Sequence, residues 1–166
     1  MDLRKGTIEK FLMAGEVYDA MDKEEKQIMM RYAKQVTSIQ REISEAACKI
    51  NAPYYCSECH GGCCTNGIEF GNDIPDYLYA MFYISLEERK KIIDVINAPH
   101  DDVDCSLKGE SGCALPIITR PIHCKLFYCN VIPESKILMN TFGDSLKEAD
   151  LQFRCALDEM NLMFLN

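Results

Sequence analysis

The sequence predicts a mainly α protein, a scaffold of about four helices holding two irregular cysteine-rich metal-binding loops, with little or no β structure. Three observations predict it. Apolar residues between Ile28 and Ile50 recur at steps of three and four, the period of a helix with one buried stripe. Ser85-Leu-Glu-Glu88 and Ser145-Leu-Lys-Glu148 are capping boxes that mark helix starts. Between the periodic segments the chain is rich in glycine, proline and cysteine, which punctuate loops rather than build regular structure.

Thr7 is placed to cap a short first helix carrying Ile8, Phe11 and Leu12. A longer helix starts near Asp22, with Glu25 at the position that completes the cap. Its stripe is Ile28, Tyr32, Val36, Ile39, Ile43, Ala46 and Ile50, and Lys, Arg, Glu and Gln fill most of the other faces. Pro53 stops it, so the N-terminal helices occupy residues 7–50. From Cys56 to Gly71 the chain carries Gly61, Gly62, Gly67 and Gly71; glycine lets a backbone wrap tightly around ligands. The Ser85 box opens a helix with Ile92, Ile93 and Ile96, ended before Pro99. Residues 100–130 are broken again by Gly109, Gly112, Pro116 and Pro121, with short strands expected at Leu115–Thr119 and Leu126–Tyr128. A last helix is expected over 144–165, its stripe formed by Leu146, Phe153, Leu157, Met160 and Phe164. No internal repeat or low-complexity tract is present.

At 166 residues, 48% hydrophobic and 27% charged, the chain reads as one ordinary globular domain, 1–166, with room for a real core. A formal net charge of −8, made more negative by any thiolates, repels phosphate backbones and argues against a nucleic-acid zinc finger. It suits a basic protein substrate or partner better. The start, Met1-Asp-Leu-Arg-Lys-Gly-Thr7, leads into an amphipathic stretch, so no signal peptide is expected. No apolar run is long enough to span a membrane. The expected location is therefore cytoplasmic, where ordinary thiols stay reduced.

Of the ten cysteines, Cys56, Cys59, Cys63 and Cys64 form a C-x-x-C-x-x-x-C-C cluster. Cys105, Cys113, Cys124 and Cys129 form a second set, with Arg120-Pro121 between its members. The two-residue gap of C-x-x-C lets both sulfurs reach one ion at about 2.3 Å. Side chains of the adjacent pair Cys63-Cys64 diverge, which assigns them to different metals or to different corners of one polynuclear centre. Eight thiolates supply two four-coordinate sites, or one cluster plus one ion. So soft a donor set selects zinc, copper(I) or iron–sulfur over magnesium and calcium.

Other readings of the cysteines fit less well. A disulfide framework needs an oxidising compartment, and a thioredoxin-type pair at Cys56 and Cys59 needs a βαβ context. The radical-SAM spacing fails because Asn66 stands where its third cysteine belongs. The bacterial ferredoxin spacing departs between Cys59 and Cys63. Cys48 and Cys155 lie in helical stripes and read as small buried hydrophobes. His60 and His123 adjoin Cys59 and Cys124 and are substitute ligands at most, while His100 is read as solvated. Arg120 is read as a hydrogen-bond donor to ligand sulfur, offsetting the charge of about −2 on a four-thiolate divalent site. Phe127 is read either as a shield between the site and water or as a plain core residue.

With these residues in view, the chain resembles the CxxCxxxCC family of zinc- or iron-chelating domains, which includes a branch of flagellin lysine-N-methylases. The resemblance is carried by Cys56–Cys64, Cys105-Ser-Leu, Gly112-Cys113, Arg120-Pro121-Ile-His-Cys124 and Phe127-Tyr-Cys129, within a cysteine-rich core of about 54–130. It implies a zinc or iron centre, iron–sulfur included, held by Cys56, Cys59, Cys63, Cys64, Cys105, Cys113, Cys124 and Cys129. It also implies lysine N-methylation as an alternative activity, and an iron–sulfur centre would alternatively serve electron transfer. Lys125 and Tyr128 depart from residues common in the family. No glycine-rich SAM-binding fingerprint follows a strand, so methyl transfer rests on analogy alone.

Overall fold

Three reciprocal capping boxes explain where helices of this structure begin. In the computed structural model, which describes residues 3–51, 73–98, 107–109, 112–116, 119–121 and 135–160, helix α1 (Leu3–Ala20) and helix α2 (Lys23–Lys49) meet at Asp22. The Asp22 carboxylate accepts from the backbone N–H groups of Glu24 (2.7 Å) and Glu25 (2.9 Å). Glu25 Oε2 accepts from the Asp22 N–H in return (2.8 Å), which closes the expected capping box. Helix α3 (Ile74–Met81) is opened in the same way by Asp73 and Asp76. Helix α4 (Leu86–Asn97) is opened by Ser85 and Glu88, and the Ser85 backbone and hydroxyl hold the exposed Glu88 carboxyl below its ordinary range. Strands β1 (Lys108–Gly109) and β2 (Gly112–Cys113) form a two-residue antiparallel ladder, and helix α5 (Ser135–Glu159) follows. The described protein is mainly helical.

Three expected boundaries are corrected. Helix α1 starts at Leu3, so Thr7 lies inside it, buried, and caps nothing. Helix α5 starts at Ser135, which makes Ser145 an exposed interior residue rather than a cap. The 3.6-residue repeat already runs through Leu138 and Phe142, and a potential capping side chain in mid-helix simply faces solvent. Helix α2 ends before Pro53 is reached. Asn51 adopts a positive φ of 57° and donates its N–H to the Cys48 carbonyl (3.0 Å), the left-handed residue with which helices commonly stop. Leu115 and Thr119 lie in a bend and a 3₁₀ turn, not in a strand. The strand expected at Leu126–Tyr128 lies outside the described residues.

Helix α2, about 40 Å long at 1.5 Å per residue, packs along α5, and α1 packs on α3. The buried face of α2 is Met29, Ala33, Val36, Thr37, Gln40, Ile43 and Ala47. It lies one residue round from the expected stripe; Ile28, Tyr32 and Ile39 flank it half-buried. The last turns of α2 meet the first turns of α5, where Ala46, Ala47 and Ile50 share a cluster with Leu138 and Phe142. In α1 Phe11 is buried, but Leu12 is 43% exposed. The centre of the core joins Phe11, Met29, Ile43, Leu78, Ile96, Leu115, Leu146 and Phe153. Phe11 meets Tyr77, and Phe153 meets Tyr79, edge to face at 5.8 and 6.0 Å.

Helix α3 is announced only by its cap at Asp73 and Asp76, not by a hydrophobic period. Every residue from Pro75 to Met81 is buried, so no amphipathic period exists to be read. Helix α4 shows its period well, with Ile92 and Ile96 inside. Its Arg89 is buried too, donating to Asp19 (3.1 Å) and to the Met81 carbonyl (3.4 Å). Among the described residues, no helix is long and apolar enough to cross a membrane.

Leu146→Ala is expected to lower unfolding free energy by about 2–5 kcal/mol, because its site is fully enclosed. Leu151→Ala, on the exposed face of the same helix, is expected to stay within about 0.5 kcal/mol of wild type. Denaturant titration reads both. Equal losses at the two positions would refute the assigned buried face.

Candidate metal centre and its surroundings

Of the eight expected ligands, the structure describes Cys113; Cys56, Cys59, Cys63, Cys64, Cys105, Cys124 and Cys129 lie outside the described residues, as do His60, His100, His123 and Phe127. Cys113 is half-exposed and its thiol is free. It sits on β2 opposite Lys108. The ladder extends by one bond, from the Ala114 N–H to the Leu107 carbonyl (2.8 Å). Leu107 and Leu115, on either side of the ladder, are both buried in the main core. The hairpin that carries Cys113 is thus nailed down at its two ends.

Arg120 lies just beyond. Thr119 turns the chain, its N–H and its hydroxyl both donating to the Pro116 carbonyl at 2.9 Å. Arg120 Nε donates back to the Leu115 carbonyl (3.3 Å). Its own carbonyl is gripped from two helices. Gln40 Nε2 of α2 donates to it at 2.8 Å, and the Tyr79 hydroxyl of α3 donates to the same oxygen. Gln40 Nε2 also lies 3.3 Å from that hydroxyl. Gln40 and Tyr79 are both fully buried, and a buried carbonyl needs partners of this kind. Gln40 Oε1 is buried and takes no partner. These two residues were missed from sequence, since a Gln on a long helix and a Tyr in an apolar run give no signal.

Cys48 and Cys155 correct another expectation, since both are exposed rather than buried. Each sits 100° round the helix from a buried alanine, Ala47 or Ala156. An apolar neighbour in sequence therefore does not carry the cysteine inward. Among the described residues, no group of three or more His, Cys, Asp and Glu side chains is set to hold a metal ion.

A second polar centre joins α3 to α5. Arg154 donates to Asp73 through Nη1 (2.7 Å), to Asp76 through Nη2 (3.2 Å) and to Asp150 through Nε (2.6 Å). The Asp76 side chain is 0% exposed and Arg154 is 24% exposed. Burial, then a hydrogen bond shared with the Asp73 side chain, pushes the Asp76 carboxyl up to about 7 against the pull of Arg154. Burial works on Asp73 in the same sense, but hydrogen bonds from Asp76 and Arg154 outweigh it and hold its carboxyl below the ordinary value. Burial also opposes the charge on Arg154, and its hydrogen bonds to Asp150 and Asp73 more than restore it. Asp150 Oδ1 is buried without a partner. Three carboxylates to one guanidinium leave an excess of negative charge in a poorly hydrated place.

Compared with protein-family models, with curated proteins and with solved structures, the chain matches none.

Gln40→Met and Tyr79→Phe each remove one donor from the Arg120 carbonyl, and each is expected to cost about 1–3 kcal/mol. The double variant leaves the oxygen with neither. Its loss is expected to exceed the sum of the singles by about 0.5–3 kcal/mol in a double-mutant cycle. Strict additivity would mean that the two donors do not share this acceptor.

Proposed function

We propose that the protein is a metal chelator whose cysteines 56, 59, 63, 64, 105, 113, 124 and 129 bind zinc or iron, an iron–sulfur centre included. The observation that carries the reading is the donor chemistry: eight thiols in two sets with chelating gaps, of a softness that suits these metals. Two structural features support it. Cys113 is free and half-exposed on a hairpin anchored at both ends, and a donor fixed in place loses less entropy on binding. Cys56–Cys64 follow α2 in sequence and Cys124 and Cys129 precede α5, and the end of α2 at Ile50 shares one apolar cluster with Leu138 in the first turn of α5.

Within this reading, the residues that the structure describes act by positioning. Gln40 and Tyr79 fix the backbone at Arg120, a short step before Cys124 in sequence, and the Leu107–Leu115 pair fixes Cys113. Bound metal supplies cross-links between segments far apart in sequence, so metal-binding free energy becomes folding free energy. The acidic surface suits a basic protein partner, and the family resemblance is part of the same proposal.

Anaerobically prepared wild type is expected to contain about two zinc ions per chain, or iron with acid-labile sulfide. Cys63→Ser and Cys64→Ser are each expected to lower bound metal and melting temperature, while Cys48→Ala and Cys155→Ala change neither. Elemental analysis with a visible spectrum decides. Metal-free wild type, or unchanged metal in both vicinal variants, would end the chelator reading. Iron and sulfide together would direct the next assays to electron transfer and lysine N-methylation.

A further inference from the structure

The Asp73–Asp76–Asp150–Arg154 cluster lies outside the proposed cysteine ligand set and makes a polar junction between α3 and α5. Asp76 is wholly enclosed, and both its oxygens are engaged, Oδ2 by the Asp73 N–H (2.8 Å) and Oδ1 by Arg154 (3.2 Å). Asp150 contributes a second buried carboxylate, one of whose oxygens has no partner. Asp73, with its side chain 52% exposed, contributes the third. One guanidinium cannot neutralise three carboxylates in so little water. A proton is the smallest additional cation that halves the excess, leaving one net negative charge, on the group that includes the half-exposed Asp73. Of the other elements packed on α3, α1 meets it through Phe11 against Tyr77, and α2 through Gln40 beside Tyr79.

We infer that this cluster is a proton-linked latch, which fastens the N-terminus of α3 to α5 while one carboxyl is protonated and loosens when that proton is lost. The proton resides on Asp76, the most enclosed member, and bridges toward Asp73. On release it passes to water, Arg154 keeps its charge, and the carboxylates can lower their mutual repulsion by opening to solvent. The sign follows from linkage. Asp76 titrates near 7 when closed and near 3.8 when exposed, so the closed latch binds the extra proton between those values. Its contribution is complete below about 4 and is lost as pH rises to about 7, above which the opening equilibrium is level. Asp73 works oppositely at lower pH, since its depressed carboxyl favours the closed state above its ordinary value. The latch is therefore tightest in mildly acidic solution. It fastens Asp73, the first described residue after the segment carrying Cys56–Cys64, and it does so whether or not the cysteines bind metal.

The test uses the full chain, with carboxyl-carbon NMR of aspartate and hydrogen exchange at the Asp73 and Asp76 amides. One aspartate is expected to titrate near neutrality in wild type and to vanish in Asp76→Asn. After correction for intrinsic rates, the opening equilibrium is expected to rise by up to about tenfold per pH unit between roughly 4 and 7, and to be flat in Asp76→Asn. Asp73→Asn, at a half-exposed position that tolerates change, is expected to move the neutral titration to lower pH, and it serves if Asp76→Asn does not fold. Absence of any aspartate titrating above about pH 5, a pH-independent opening in wild type, or an unmoved midpoint in Asp73→Asn would each overturn the latch.

Discussion

The enclosure of α3 is the constraint on which the neighbouring elements depend, because a helix with no solvent face must satisfy every polar group from within. Its seven buried residues, Pro75 to Met81, are covered by α1 through Phe11 and by α5 through Phe153. Its two awkward groups then dictate what lies next to them. Asp76 needs a cation and takes Arg154. The Tyr79 hydroxyl needs an acceptor and takes the Arg120 carbonyl. One short helix thereby fixes a point on the last helix and a point on the cysteine-bearing hairpin segment. Neither contact is local in sequence, so both are formed only once the tertiary structure closes.

Much of the helical frame is readable from sequence because its signals are local. Asp22 with Glu25, and Ser85 with Glu88, are reciprocal caps that depend only on residues three apart. The stripes of α2 and α4 follow the helical period. Failures occur where a local signal loses to a wider one. Thr7 and Ser145 are good capping side chains, yet helical periodicity continues on both sides of each and absorbs them. The buried face of α2 includes Thr37 and Gln40, polar residues that a hydrophobic pattern assigns outward. Thr37 is accommodated by donating to the Ala33 carbonyl and lying 2.9 Å from the Tyr83 hydroxyl. Helix α3 was illegible for the opposite reason, since a short, mostly apolar stretch of eight residues is as consistent with a buried strand as with a helix.

For the candidate site, sequence and structure inform different things. The chemistry of the donors is legible from residue type and spacing, because a thiolate's preference for soft metals does not depend on the fold. How the chain is braced around Cys113 and Arg120 is not legible. The bracing uses Gln40, Tyr79, Leu107 and Leu115, which come from four places in the chain and share no motif. The Asp73, Asp76, Asp150 and Arg154 group was invisible for the same reason. Asp73 and Asp76 stand at cap spacing and Asp150 and Arg154 at helical spacing, and an Asp–Arg pair four apart ordinarily reads as a solvated surface feature.

The enclosed helix also carries an optical property. The chain has no tryptophan and eight tyrosines, so its near-ultraviolet absorption and emission are those of phenol rings. Tyr77 and Tyr79 lie wholly inside, each edge-on to a phenylalanine. Tyr18 lies instead between two cations, with Lys26 Nζ and the Arg89 guanidinium each 4.8 Å from its ring centre. Immobile rings in asymmetric surroundings give circular dichroism in this region, whereas freely rotating ones give little. The innermost layer of the protein therefore reports its own order without a label. No indole band overlaps these signals.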